Sequence, residues 1–200
     1  MTEVRHKLPA AERRRAVVKA AARVFAEGSY RGTTTAEIAR AVGCSEPILY
    51  RHFPSKRDLY FACVEQQWEE LQALFESAAA EGDPVAAMDK AKKALTSIAQ
   101  GRVPLSHFWV QALSEASEDA EIRRWLRRHL KEVHDFLAEK MRQGQELGVI
   151  LPERDVEAEA WVTMGGILLG AVGQRLGGLM DDVHPRIVAA RRAWMSGTAS

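Results

Sequence analysis

Cysteine is scarce in this 200-residue chain, which holds only Cys44 and Cys63. Two thiols 19 positions apart supply neither a disulfide framework nor a cysteine-based zinc site, and they fit a reducing cytoplasm. Long apolar runs are missing too. The most apolar window, 161–173, ends at Gln174 and Arg175 and falls short of the ~20 residues that a membrane-crossing helix needs. The opening segment MTEVRHKLPA has no apolar stretch of the kind a secretion signal carries. No β-branched run alternates with polar residues for long, which argues against a sheet. Nor is there a Ser/His/Asp order, a glycine-rich phosphate loop, an HExxH pattern or a cluster of carboxylates fit for catalysis, so an enzyme is not expected. The trio Glu118, Asp119 and Glu121 reads as a charged helix start favoured by the macrodipole. His129 and His134 are five apart, the wrong spacing for two ligands on one helical face, and neither a metal nor a cofactor is expected.

What the chain does have is an ordinary globular composition, 46% apolar and 28% charged, with an uneven distribution of charge. The formal net charge is +1, yet residues 1–60 carry +6 and residues 61–200 carry −5. A basic head on a mildly acidic body suits a polyanionic partner for the head.

The hydrophobic periodicity is helical nearly throughout, so the expected fold class is all-α with about nine helices. A first helix over 10–27 places Val17, Ala20, Ala21, Val24 and Phe25 on one stripe and stops at Gly28. Thr34 and Glu37 have capping-box spacing and start a short second helix, 35–42, that ends at Gly43. Ser45 can cap a third helix with Pro47 in its first turn; Pro54 ends it. A fourth helix spans 55–80, and further helices are expected near 84–100, 104–117, 119–146, 153–178 and 185–196. The helix over 119–146 is the clearest, with Ile122, Leu126, Leu130, Val133, Leu137 and Met141 along its inner face. Residues 10–70 are expected to form a DNA-binding domain with its motif at 34–53. Residues 71–200 are expected to form a ligand-binding and dimerisation domain joined to it through the fourth helix.

The segment TTAEIARAVGCSEPILYRHF, residues 34–53, has a helix-turn-helix layout. Ile38, Ala39, Val42, Leu49 and Phe53 would face inward, Ala39 being small enough for two helices to cross closely. Gly43 can take positive φ in the turn at no Cβ cost. The wider stretch from Ala20 to Leu59 resembles the DNA-binding head of the TetR (tetracycline-repressor-like) family. The matching features are Ala21-Ala22 with Phe25, Gly28 with Tyr30, the threonines before Glu37-Ile38-Ala39, Gly43, Ser45, Leu49-Tyr50, Phe53, and Lys56 with Leu59.

That resemblance implies a dimeric, cytoplasmic transcriptional regulator, in the first instance a repressor that a small hydrophobic effector releases from a palindromic operator. An activator of the same fold is the alternative. A helical interaction module without DNA binding is the remoter one. It also implies roles for particular residues. Thr33, Thr34, Thr35, Tyr50, His52 and Lys56 match positions that touch phosphates. Ser45, Glu46, Pro47, Ile48 and Arg51 match positions that face bases; Arg51 suits a bidentate contact to guanine. Glu46 departs from the lysine that many relatives carry. Thr34 also reads as a plain helix cap, and Tyr50 as a packing residue.

In the C-terminal half the resemblance implies an effector pocket and a homodimer seam made by the last two helices. Phe75, Met88, His107, Phe108, Gln111, Trp125, His129 and Trp161 are the candidate pocket residues. Met164, Leu168, Val172, Leu179, Ile187, Arg191 and Trp194 are the candidate seam residues. Glycines at 165, 166, 170, 173, 177 and 178 interrupt that seam. Each glycine inside a helix costs roughly 1 kcal/mol relative to alanine, which close approach of two backbones offsets. Close packing within one subunit would explain the same pattern. The expected partners are double-stranded operator DNA, a small-molecule effector and a second copy of the chain, with no membrane.

Overall fold

The computed structural model describes residues 10–80 and 105–198. All eight elements among the described residues are α-helices: α1 Ala10–Glu27, α2 Thr35–Val42, α3 Glu46–His52, α4 Lys56–Ala80, α5 Leu105–Ala116, α6 Ala120–Glu146, α7 Val156–Arg175 and α8 His184–Ser196. The expected helix at 84–100, with Met88, lies outside the described residues.

Helix boundaries follow local hydrogen bonding. Asp119 caps α6 by accepting from the N–H groups of Glu121 (2.8 Å) and Ile122 (3.1 Å). Asp155 does the same for α7 through Glu157 (3.1 Å) and Ala158 (3.2 Å), so that helix begins three residues later than 153. Its end comes earlier than 178, because Gly177 and Gly178 take φ of 74° and 84°, outside the helical region.

The packing forms two connected parts. In the head, α1 packs on α2 and α4, and α2 on α3. In the body, α5, α6 and α7 pack on one another, and α4 reaches α5. The buried side of α1 is Val17, Val18, Ala21, Ala22 and Phe25. On α6 the buried face is wider than the six-residue stripe read from periodicity, because Trp125, His129, His134 and Ala138 are buried as well. The helix is sandwiched between α5 and α7, so more of its circumference is covered. Helix α7 is 20 residues long with mean hydropathy 1.2, long and apolar enough by length and composition to cross a membrane. Met164 and Ala171 nevertheless face the protein's own core. Helix α8 buries none of its residues.

Head and body are tied by directional contacts. The Tyr60 hydroxyl on α4 donates to the Phe108 carbonyl (2.6 Å), and burial pushes this phenol up from its ordinary value. Gln111 Nε2 on α5 donates to the Phe25 carbonyl at 2.8 Å, near the end of α1. Arg31 pairs with Glu115 (2.8 Å) and Glu118; Arg57 pairs with Asp119 (3.2 Å) and Glu121. The exposed pairs contribute little each, and the buried Tyr60 and Gln111 bonds fix the register.

His129 is 3% exposed, and burial pushes its imidazole down from 6.5 to about 4. A folded-state value below the unfolded one means that the unfolded chain binds the proton first. This contribution to stability is intact above pH 6.5 and is lost as pH falls toward 4, by about 1.4 kcal/mol per pH unit. Urea denaturation at pH 7 and pH 4.5 should show a smaller loss for His129→Phe than for the natural chain. Equal losses would remove His129 as a source of acid sensitivity.

Candidate nucleic-acid interface

The site is built on two short helices that have little stability of their own. Helix α2 has eight residues and α3 only seven, well below the ~12–15 at which isolated helices become marginal. Packing and caps hold them instead. Ile38 and Ala39 on α2, Leu49 on α3 and Phe53 just after it are buried against the α1 side chains. The Arg14 guanidinium lies 4.8 Å from the centre of the Phe53 ring and covers that end of the core.

The α2 entry carries a full capping box. Glu37 N–H donates to Thr34 Oγ1 (3.2 Å), while the Glu37 carboxylate accepts from the Thr34 N–H (2.8 Å) and hydroxyl (2.9 Å). Those bonds hold the Glu37 carboxyl below its usual range. At the other end Gly43 adopts φ 74° and ψ 34°, and Cys44 N–H closes back on the Ala39 carbonyl (2.9 Å). This left-handed residue sets the angle at which α3 leaves the turn.

The outer face of α3 follows from that geometry. Leu49 points inward, so Tyr50, Pro47, Arg51 and Ile48 occupy the opposite arc, and all four are exposed. Ile48 is 41% and Tyr50 45% exposed, unusual for large apolar-bodied side chains on a helix with a packed inner face. Tyr50 OH lies 3.3 Å from Thr35 Oγ1 and so links the start of α2 to the outside of α3. Ser45 is exposed, and Glu46 and His52 are half-buried at the margins of the arc.

Two expected phosphate contacts are placed differently. Thr33 is 3% exposed, its hydroxyl packed beside Gly28, so it is withdrawn from the surface. Lys56 Nζ donates to the Tyr30 carbonyl (2.8 Å) and the Thr33 carbonyl (3.1 Å) and sits 4.6 Å from the centre of the Tyr30 ring. Burial lowers its affinity for a proton. Two of its three N–H groups thus fasten the α1–α2 loop to α4. The sequence signal for this was present in the pairing of Tyr30 with Lys56, where the lysine reads equally well as a surface cation. Thr34 is exposed, but its N–H and hydroxyl are both engaged by Glu37.

The candidate pocket residues separate into three places. Phe75, Trp125 and His129 come together in an aromatic cluster with Trp68, Trp109 and Phe136. Phe108 and Gln111 belong to the head–body junction, and His107, half-buried, precedes them on α5. Trp161 does not line the body's interior: it is 50% exposed and stacks on His134 (4.5 Å) at the outside of α7. Trp68 was missed because periodicity alone cannot tell which apolar side chain of α4 faces α6.

Candidate seam residues also divide. Met164 is buried in the chain's own core, because its arc of α7 faces α5 and α6. Leu168, Val172 and Arg191 are half-buried, whereas Leu179, Ile187 and Trp194 are exposed. The outward arc of α7 is instead Trp161, Val162, Gly165, Gly166 and Leu169, with Leu176 exposed just past its end. A Cβ at Gly165, Gly166 or Gly170 would meet nothing within 4 Å, so nothing among the described residues explains why these helical positions are glycine.

One described group, His134, Asp135 and Glu157, has donors within 4.8 Å of one another, as a metal site would require. Both His134 nitrogens already face oxygen atoms: Nδ1 is 3.0 Å from Asp135 and Nε2 3.0 Å from the Glu157 carbonyl. Lys131 and Arg142 pair with the two carboxylates. The group is thereby satisfied without an ion, and no metal is assigned to it.

Residues 17–63, which span this whole arrangement from α1 into α4, match the model of the bacterial regulatory proteins of the tetR family. The match is to the head of the chain, and it is a match to the DNA-binding segment of that family. Among curated relatives, the HTH-type transcriptional activator FasR of Mycolicibacterium smegmatis is 39% identical over 66 residues, 33% of this chain and 30% of FasR. The alignment with that relative thus spans less than a third of its length. The HTH-type transcriptional regulator UidR of Escherichia coli is 26% identical over 137 residues, 68% of each chain. The fold of a TetR-family regulator from Rhodococcus sp. superposes with a TM-score of 0.78 at 20% identity, covering 93% of this chain and 100% of that one. AibR, solved with isovaleryl coenzyme A and operator DNA, superposes with a TM-score of 0.57 at 24% identity over 78% of this chain and 84% of its own. The matched segment takes in α2 and α3 together with most of α1 and the start of α4, and the likeness in fold extends over the later described helices.

If Lys56 is the fastener its contacts describe, Lys56→Met should lower stability by about 1–2 kcal/mol in urea denaturation, the scale of lost hydrogen bonds from a charged donor that is only half-buried. An unchanged midpoint would show that the fastener contributes nothing.

Proposed function

We propose that this chain is a TetR-family regulator, a homodimeric repressor that binds a palindromic operator through α3 and leaves it when a small hydrophobic effector occupies the body. The observation that carries the reading is the outward arc Pro47, Ile48, Tyr50 and Arg51, exposed on a helix whose other side is locked by Leu49 and Phe53. Domain roles follow the expected division: residues 10–70 contact DNA, and residues 71–200 dimerise and bind the effector.

On this reading Arg51, which makes no ion pair among the described residues, projects into a major groove and reads a guanine. Pro47 and Ile48 give apolar contact to a thymine methyl, with Ser45 at the edge. Glu46, half-buried beside the inward face, reads a cytosine amino group only if it swings outward. Tyr50, Thr35 and His52 hold phosphates on either side, and the exposed Arg40 adds positive charge to the same surface. Thr33 and Lys56 support the surface without touching DNA.

The homodimer places α7 and α8 of two copies together. The outward arc of α7 and the exposed Ile187, Val188 and Trp194 of α8 offer large apolar side chains that a second copy would take out of water. Bare backbone at Gly165, Gly166 and Gly170 lets a second helix come close. Arg191 and Trp194 Nε1 (2.9 Å) both bond Glu159, and Arg154 lies 3.7 Å from the centre of the Trp194 ring, which fixes α8 against α7 before any partner arrives. A two-fold pair would present its α3 helices to half-sites about 34 Å apart. The complex of AibR with isovaleryl coenzyme A and operator DNA supports coupling of a ligand to an operator in this fold. The name of FasR supports a second reading, in which the same DNA contacts activate transcription.

Selection of bound sequences from random duplexes is expected to return a two-fold symmetric site. Arg51→Ala should then relax preference at one base pair per half-site by ~1–3 kcal/mol, whereas Tyr50→Phe should weaken all sequences alike. Recovery of no preferred sequence would overturn the reading. For the dimer, Leu169→Glu should turn a two-chain particle into a single chain in analytical ultracentrifugation, and an unchanged mass would move the seam elsewhere.

A further inference from the structure

The aromatic cluster of the body contains two polar atoms that its packing does not satisfy. His129 Nε2 and Trp109 Nε1 are buried without a hydrogen-bond partner among the described residues. Their side chains are 3% and 2% exposed, and their rings are neighbours, with centroids 6.1 Å apart. Burying such atoms unpaired costs free energy, so a cluster meant only as packing would carry leucine or phenylalanine here. The other indole groups in the cluster differ. Trp125 Nε1 has Glu65 as its acceptor at 3.3 Å, and Trp68 Nε1 is not among the buried unpaired atoms.

We propose that the cluster between α4, α5 and α6 takes an uncharged, flat aromatic molecule carrying a hydrogen-bonding oxygen, anchored by Trp109 and His129. This rests on the reading that the body binds an effector, and it names the chemistry of that effector. An indole N–H only donates, so the ligand must offer Trp109 an acceptor. The neutral imidazole of His129 either accepts or donates, according to its tautomer, so a hydroxyl or carbonyl oxygen satisfies both anchors.

The ring geometry selects against charge of either sign. Trp125 stacks in parallel on Phe61 (4.2 Å, 8°) and on His129 (5.2 Å, 5°), so indole surface that a cation would seek is already occupied by rings. Trp68 meets His129 at 89° and Phe136 at 83°, an edge-to-face arrangement that continues naturally onto one more flat ring. An anion would need a buried cation beside the two anchors. His129 cannot serve, since burial holds it neutral above about pH 4. Lys140 lies 5.3 Å from the centre of the Phe136 ring, where a ring face already engages it.

The test is titration of the full chain with four probes: 2-naphthol, naphthalene, 2-naphthoate and trimethylphenylammonium, followed by calorimetry. 2-Naphthol should bind about ten-fold more tightly than naphthalene, the worth of one good hydrogen bond, and the two ions should bind most weakly. Trp109→Phe and His129→Phe should each narrow the advantage of 2-naphthol over naphthalene, and the double variant should abolish it, while naphthalene itself binds unchanged. Should either variant fail to melt cooperatively, the other and His129→Leu provide the same comparison. Binding of either ion as tight as that of 2-naphthol, affinities indifferent to both variants, or no binding of any probe would overturn the proposal. Release of operator DNA is read separately. If 2-naphthol binds through both anchors but leaves DNA bound at saturation, the ligand chemistry stands and the effector reading falls. If some other compound releases DNA equally well from the natural chain and the two variants, the effector reading stands and this site falls.

Discussion

A seven-residue helix cannot hold its own shape in water, and the outward arc of α3 exists only because its inner side is pinned. Leu49 and Phe53 provide the pin, set into the layer made by Ile38, Ala39 and the α1 stripe ending at Phe25. The left-handed Gly43 then decides which way the helix points. Because the inner side is satisfied, the outer side is free of any demand from stability. That freedom is why Ile48 and Tyr50 can stand exposed beside a buried leucine.

The same logic passes from the head into the body. Tyr30 lies 5.0 Å from the Tyr60 ring, Tyr60 lies 5.2 Å from Phe25 and 5.5 Å from Phe108, and its hydroxyl closes on the Phe108 carbonyl. Helix α5 therefore touches the base of the recognition unit through Phe108 and Gln111, while one residue along from Phe108 it presents Trp109 to the aromatic cluster. A displacement of α5 has a short, stiff route to the end of α1. The arginine pairs at Arg31 and Arg57 lie on the outside of this junction, where solvent weakens them.

The head was legible in the sequence because its constraints are local. The capping box at Thr34 and Glu37, the turn glycine and the alternation of buried and exposed positions on α3 all lie within twenty residues of one another. The body was legible only as helices. Which side of α7 faces the core depends on where α5 and α6 lie, and those placements are not encoded in α7 itself. Hence Met164 was read as outward although it is buried, and Leu169 went unnoticed although it is exposed. Lys56 shows the same limit inside the head. A cation next to a helix start invites a phosphate, and only the folded loop reveals the two carbonyls of Tyr30 and Thr33 that it serves.

Helix α4 runs unbroken from Lys56 to Ala80, and the matched family segment ends inside it at residue 63. In this chain the head and the body are joined by one continuous helix, whose angular phase is set by residue count. Adding or deleting a single position in the middle of that helix would swivel the recognition unit by about 100° about the helix axis. Chimaeras that exchange heads between relatives must therefore be spliced in helical register, residue for residue, rather than at a flexible seam.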